Sequence, residues 1–141
     1  MDQSSWEGKR ILIVEDDDTN FLYISAILKR KKVQIIRSMD GLDAFFVCMT
    51  DAPDIVVMDI RLPILNGCEA IRLIKKYEPN VPIITLTASV MNEDRLNALN
   101  AGSDAFITKP ILPNKMISVI DSFFNPLASS QQYVQPEVSL S

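Results

Sequence analysis

The sequence predicts an α/β protein built on a parallel sheet with helices on both faces. Three observations carry that expectation: five short β-branched apolar runs, stretches of helical periodicity between them, and regular alternation of the two along the chain. The runs are Ile11–Val14, Val33–Ile36, Ile55–Met58, Ile83–Leu86 and the shorter Ala105–Ile107. Continuous apolar runs of this length read as strands buried on both sides.

The stretches between the runs supply the helices. Over about 18–31, apolar residues recur at Phe21, Ile24, Ile27 and Leu28. The segment closes on Lys29-Arg30-Lys31-Lys32, cations placed where the negative end of a helix dipole favours them. A second helix is expected after Asp40-Gly41, and a third near Asn66-Gly67. A fourth, over about 92–101, stops at Gly102, a glycine suited to the left-handed residue after a helix. The fifth runs from Pro113 to Phe124. From Asn125 onward the residues turn polar, which predicts a poorly ordered tail over 125–141. The folded domain is expected over 9–124, preceded by an N-terminal extension over 1–8. At 141 residues the chain is one domain.

Composition removes several chemistries. The chain has no histidine, which excludes Ser-His-Asp and Cys-His hydrolysis, His-ligated zinc and a phosphohistidine of its own. Its two cysteines, Cys48 and Cys68, are too few for a disulfide framework or a four-thiolate metal site. Fourteen basic against 18 acidic side chains, net −4, argue against a nucleic-acid partner. No apolar run approaches the roughly 18 residues of a membrane span, and Met1 to Trp6 lack a signal-peptide pattern. The expectation is a cytoplasmic protein without a membrane partner.

In an open parallel sheet, ligands bind beyond the carboxyl ends of the strands. After the first run come Glu15, Asp16, Asp17 and Asp18; after the third, Asp59; after the fourth, Thr87; after the fifth, Thr108-Lys109-Pro110. The second run contributes nothing comparable. Each piece alone has an ordinary explanation. The acidic run stabilises a helix start, with Asp17 or Asp18 as its cap; Thr87 is a strand-end hydroxyl, and Lys109 a surface lysine. Asp59 is harder to explain away, because a carboxylate between Val56-Val57-Met58 and Ile60 is costly to bury unpaired. Together the residues point to phosphoryl chemistry. Clustered carboxylates repel until a proton or a cation relieves them. All-oxygen ligands select a hard ion such as Mg²⁺, which commonly completes its shell with water and phosphate oxygens. A lysine and a hydroxyl on the same rim complement a phosphoryl group, and an aspartate beside the metal can act as nucleophile.

These residues resemble the receiver domain of two-component response regulators. The resemblance rests on Lys9-Arg10-Ile11-Leu12-Ile13-Val14-Glu15-Asp16-Asp17, Pro53–Pro63 around Asp59, Asn66-Gly67, Pro82–Ala88, and Ala101–Pro110, in that order, and covers about 9–124. It implies a flavodoxin-like doubly wound sheet of five strands in order 2-1-3-4-5. It makes Asp59 the phosphoacceptor, phosphorylated by a histidine kinase or histidine phosphotransfer protein. Asp16 would bind Mg²⁺ directly, Glu15 mainly through a metal-bound water, and the backbone carbonyl of Arg61 would be a further ligand. Lys109, Thr87 and Ala88 would contact the phosphoryl group. Thr87 and Phe106 would form the switch, changing the face of the fourth helix, fifth strand and fifth helix offered to a downstream protein or a second copy. The side chains of Arg61 and Ser89 sit where they affect how fast water reaches the acyl phosphate. The chain is similar both to stand-alone receivers and to those of hybrid histidine kinases. An enzyme of the haloacid-dehalogenase type, also using an aspartate nucleophile, is the alternative; such enzymes need an acid two residues on, where this chain has Arg61. A binding module with a vestigial acidic pocket is a third reading.

Overall fold

Each apolar run forms a strand, and each intervening periodic stretch a helix. The order is β1 (Arg10–Val14), α1 (Asp18–Lys29), β2 (Gln34–Ser38), α2 (Gly41–Asp51), β3 (Ile55–Asp59), α3 (Gly67–Tyr77), β4 (Ile83–Thr87), α4 (Glu93–Ala101), β5 (Ala105–Thr108) and α5 (Pro113–Phe124). This computed structural model describes residues 5–88 and 93–126. Ser89, the expected start of the fourth helix near 92, and the tail from 127 lie outside the described residues. All neighbouring strands pair in parallel, in the order β2-β1-β3-β4-β5, the doubly wound topology the sequence predicts.

The starts of α1, α2 and α3 are fixed by side chains. Asp17 caps α1 by accepting from the Asn20 N–H, and Asp40 caps α2 by accepting from the Asp43 N–H, each at 2.8 Å. Asn66 and Glu69 form a reciprocal capping box on α3. Helix α1 ends two residues earlier than its apolar period suggests, because Lys32 turns to φ 65° and leads the chain into β2. Among the described residues no helix is long and apolar enough to cross a membrane.

The strands' two-residue period divides the interior. Ile11, Ile13, Ile55, Val57, Ile84, Leu86, Ala105 and Ile107 pack under α1 and α5. Leu12, Val14, Val56, Met58 and Ile83 pack under α2, α3 and α4. Trp6, assigned from sequence to an extension, is 2% exposed in the first of these cores. Its indole N–H donates to Asp121 at 2.9 Å, and its ring meets Phe124 edge-on at 5.4 Å. The described N-terminal segment is thereby tied to the last helix.

Close backbone approach holds the connection between β3 and α3. A Cβ on Gly41 would collide with the Leu65 carbonyl, and one on Gly67 would lie 2.7 Å from the Cα of Ile60. We expect Gly41→Ala to lower stability by about 1–3 kcal/mol, the usual cost of forcing extra atoms into a packed site. Urea unfolding followed by the fluorescence of Trp6, the chain's one tryptophan, measures it; an unchanged midpoint would contradict the packing described.

Candidate functional site

The register brings all five strand ends to within one residue of the level of Asp59: Val14 pairs with Ser38 and with Met58, Asp59 with Leu86, and Thr87 with Thr108. The next residue along β1, Glu15, is therefore level with Asp59 at the end of β3, while Lys109 follows β5 two residues beyond Ile107, which is level with Asp59 through Leu86. Strand period then decides which side each takes. Glu15 continues the Ile11–Ile13 face, Asp59 the Ile55–Val57 face and Lys109 the Ala105–Ile107 face, all on the α1/α5 side. Thr87 continues from Ile83 and Thr85 on the other side, where Phe106 also packs.

The three side chains of matching parity meet. Asp59 is 6% exposed and Glu15 1% exposed. Lys109 Nζ lies 3.0 Å from Asp59 Oδ2, and the Arg61 backbone N–H donates to Asp59 Oδ1 at 3.0 Å. The Lys109 backbone N–H donates to the Thr87 carbonyl at 2.8 Å, binding β5's end to β4's. Thr87 is fully buried at the end of β4, and Ala88 beyond it is exposed. Phe106, on β5, is half-buried with the Arg95 guanidinium 5.0 Å above its ring.

Asp16 takes the opposite side from Glu15. It is exposed and lines a groove of about 730 Å³ with Arg61, Asn66, Cys68, Arg72 and Asp94. Within that groove the Arg61 guanidinium pairs with Asp94 of α4 at 2.7 Å. Glu15 and Lys109 instead line a smaller cavity of about 260 Å³ beside Tyr23 and Ile111. The structure thus brings Glu15, Asp59 and Lys109 into one cluster, with Asp16 and Arg61 on its outer lip and Thr87 beside it. Both thiols are poor nucleophiles: burial pushes Cys48 up to about 12 and raises Cys68 as well.

The expectation that the second run adds nothing to this rim is corrected. Strand β2 extends to Ser38, two residues beyond the apolar run, and Arg37 reaches the β1 end. Its Nε and Nη2 donate to the Glu15 carbonyl at 3.2 and 3.0 Å, and its Nη1 pairs with Asp18 at 2.9 Å. Carrying the strand one residue past Ile36 would have placed Arg37 on the rim from sequence. Arg95 and Asp94 carried no such signal, because their roles depend on how α4 packs.

The charge of the cluster is unbalanced: two buried carboxyls face one ammonium. Burial pushes Glu15 from an ordinary carboxyl value of 4.5 up to about 7. The Asp17 N–H works against this, the charge of Asp59 and a hydrogen bond to it reinforce it, and Lys109 opposes it. Glu15 Oε2 accepts from the Asp17 N–H at 3.1 Å, while buried Oε1 has no donor among the described residues. As a carboxylate oxygen, Oε1 is an orphan acceptor of the kind a hard cation satisfies. Among the described residues no three carboxylate or thiol side chains close a metal cage by themselves.

A raised folded-state pKa means the native protein holds a proton that the unfolded chain has released between pH 4.5 and about 7. The contribution of Glu15 to stability is therefore fully present below the unfolded value and is lost as pH rises through about 7. In metal-free buffer, unfolding free energy is expected to fall across that window, and Glu15→Gln to flatten the fall. A wild-type profile no steeper than that of Glu15→Gln would contradict the assignment.

Comparison with known proteins agrees with this geometry. The family model for the response regulator receiver domain matches residues 11–121. The polar-differentiation response regulator DivK of Brucella ovis is 32% identical over 117 residues, covering 82% of this chain and 95% of that protein. The receiver domain of the sensor histidine kinase PA1611 from Pseudomonas aeruginosa PAO1, whose crystal structure has magnesium coordinated in the active-site cleft, is 35% identical with a TM-score of 0.76. That alignment covers 82% of this chain and 95% of the other. The receiver domain of the Saccharomyces cerevisiae response regulator Ssk1, crystallised with the histidine phosphotransfer protein Ypd1, is 27% identical with a TM-score of 0.76, covering 82% of this chain and 88% of the other. The chain belongs to the response regulator receiver domain family.

Proposed function

We propose that this receiver accepts a phosphoryl group on Asp59 from a phosphohistidine of a histidine kinase or phosphotransfer protein. The observation that carries the proposal is Asp59 itself: a nearly buried carboxylate at a strand end, paired with Lys109 at 3.0 Å and crowded by Glu15. The donor must lie outside this sequence, which has no histidine. The Ssk1 receiver, crystallised with a histidine phosphotransfer protein, supports a donor of that type.

In the transfer, a carboxylate oxygen of Asp59 forms an O–P bond as the donor's N–P bond breaks. The departing imidazole nitrogen keeps the electron pair and takes a proton from solvent. Lys109 stays beside the transferred group as a point charge, and Thr87 and Ala88 border it from β4's end. Asp16, Glu15, Asp59 and the Arg61 carbonyl would hold Mg²⁺. Bound there, the ion neutralises charge on the transferring oxygens.

The Arg61 guanidinium, held across the groove by Asp94, covers one approach to the acyl phosphate and slows its hydrolysis. Ser89, two residues past Thr87 in sequence, would modulate the same hydrolysis. Phosphorylation then shifts Thr87 and Phe106 between two packings, altering the face made by α4, β5 and α5. That face carries the exposed Leu96 and Leu99 and would bind a downstream protein or a second copy. The working domain spans 9–124 together with the Trp6 anchor, and the protein acts in the cytoplasm without nucleic acid. The dehalogenase-type alternative is not favoured, since Arg61 occupies the position of its required second acid.

Incubation with a phosphorylated histidine phosphotransfer protein and Mg²⁺ is expected to label the wild type and not Asp59→Asn. In the same assay Arg61→Ala should be labelled and lose its phosphate several-fold faster. Full labelling of Asp59→Asn would overturn the acceptor assignment; an unchanged decay in Arg61→Ala would remove that side chain's role.

A further inference from the structure

We propose that Arg37 is a positioning residue for the metal-binding carboxylates, acting through the backbone of Glu15. The inference rests on the Mg²⁺ site described above and adds a residue from the edge strand to it.

Arg37 is gripped on three sides. Its fork donates twice to the Glu15 carbonyl, its third nitrogen pairs with Asp18 in the first turn of α1, and its guanidinium stacks 4.4 Å over the Phe21 ring. The Arg37 side chain is 24% exposed and its Asp18 partner 79%, so water screens the ion pair far more than the bonds to the Glu15 carbonyl. From the same strand, the Ser38 carbonyl accepts from the Glu15 N–H at 3.0 Å. The backbone of Glu15 is therefore pinned at both its N–H and its carbonyl by two consecutive residues of β2. Its side chain is pinned by the Asp17 N–H. Asp16 lies between these anchors, so the backbone from which its carboxylate projects is held by them.

Three physical accounts of Arg37 predict different signs. If the residue acted only as a charge near an acidic site, removing it would tighten Mg²⁺ binding by relieving repulsion. If it only stabilised the fold, removing it would lower stability and leave the affinity of the folded protein unchanged. If it positions Glu15 and Asp16, removal weakens binding despite the lost positive charge. Lysine is no substitute, because a single ammonium cannot supply a fork to the carbonyl, an ion pair and a stacked plane together.

The test is an Mg²⁺ titration of the full-length protein followed by amide NMR at constant ionic strength, with urea unfolding of each metal-free variant alongside. Arg37→Ala is expected to bind Mg²⁺ about ten-fold more weakly, the lower end of the effect of removing an outer partner of a metal ligand. Arg37→Lys, which keeps the charge and carries the test if the alanine variant does not fold, should weaken binding several-fold. Phe21→Leu, which removes the stacking and keeps an apolar side chain against the first core, should fall between Arg37→Lys and wild type. Unchanged or tighter binding in Arg37→Lys would overturn the inference while leaving the metal site intact. Absence of Mg²⁺ binding by the wild type would overturn the site and the inference together.

Discussion

The structure depends on one electrostatic imbalance. Glu15 and Asp59 are buried against each other at the ends of adjacent strands, with the Lys109 ammonium 3.0 Å from Asp59. Isolated in an apolar sheet, such a pair would be a defect that neutralises by taking up a proton. Here the sheet holds the pair by geometry. The strand period puts Glu15, Asp59 and Lys109 on one side, and parallel register sets Glu15 level with Asp59. A cation and a phosphoryl group are the kinds of ligand that turn this strain into binding.

The surrounding residues make sense as supports for that cluster. Arg37 and Ser38 fix the Glu15 backbone from the edge strand, and the Arg61 N–H fixes one oxygen of Asp59. Close approaches at Gly41 and Gly67 settle the loop that carries Arg61. On the other parity, Thr87 and Phe106 face the α3/α4 layer, and the Arg95 guanidinium of α4 lies 5.0 Å from the Phe106 ring.

Much of this was legible in the sequence because the signals were periodic. Five apolar runs fixed the strands to within two residues, and the polar residues after four of them marked the rim. The shared side of the cluster was legible too, since Ile11, Ile13 and Glu15 lie on one face of any extended chain. Arg37 was missed because the β2 run loses its apolar character at the residue where the strand still continues. Trp6 was missed because a lone aromatic outside any periodic stretch carries no pattern; only its partners Asp121 and Phe124, more than a hundred residues away, reveal its place. The Arg61–Asp94 pair likewise joins a loop to a helix that no local pattern connects.

The central claim is that Asp59 carries the phosphoryl group. Its most direct test is peptide mapping by mass spectrometry after phosphorylation with Mg²⁺ and borohydride reduction, which converts an acyl phosphate into an alcohol. The account predicts a single reduced site, at Asp59, appearing only when Mg²⁺ and the phosphodonor are both present. Reduction at Glu15 or Asp16 instead, or a phosphate stable to acid on a serine or threonine, would contradict it.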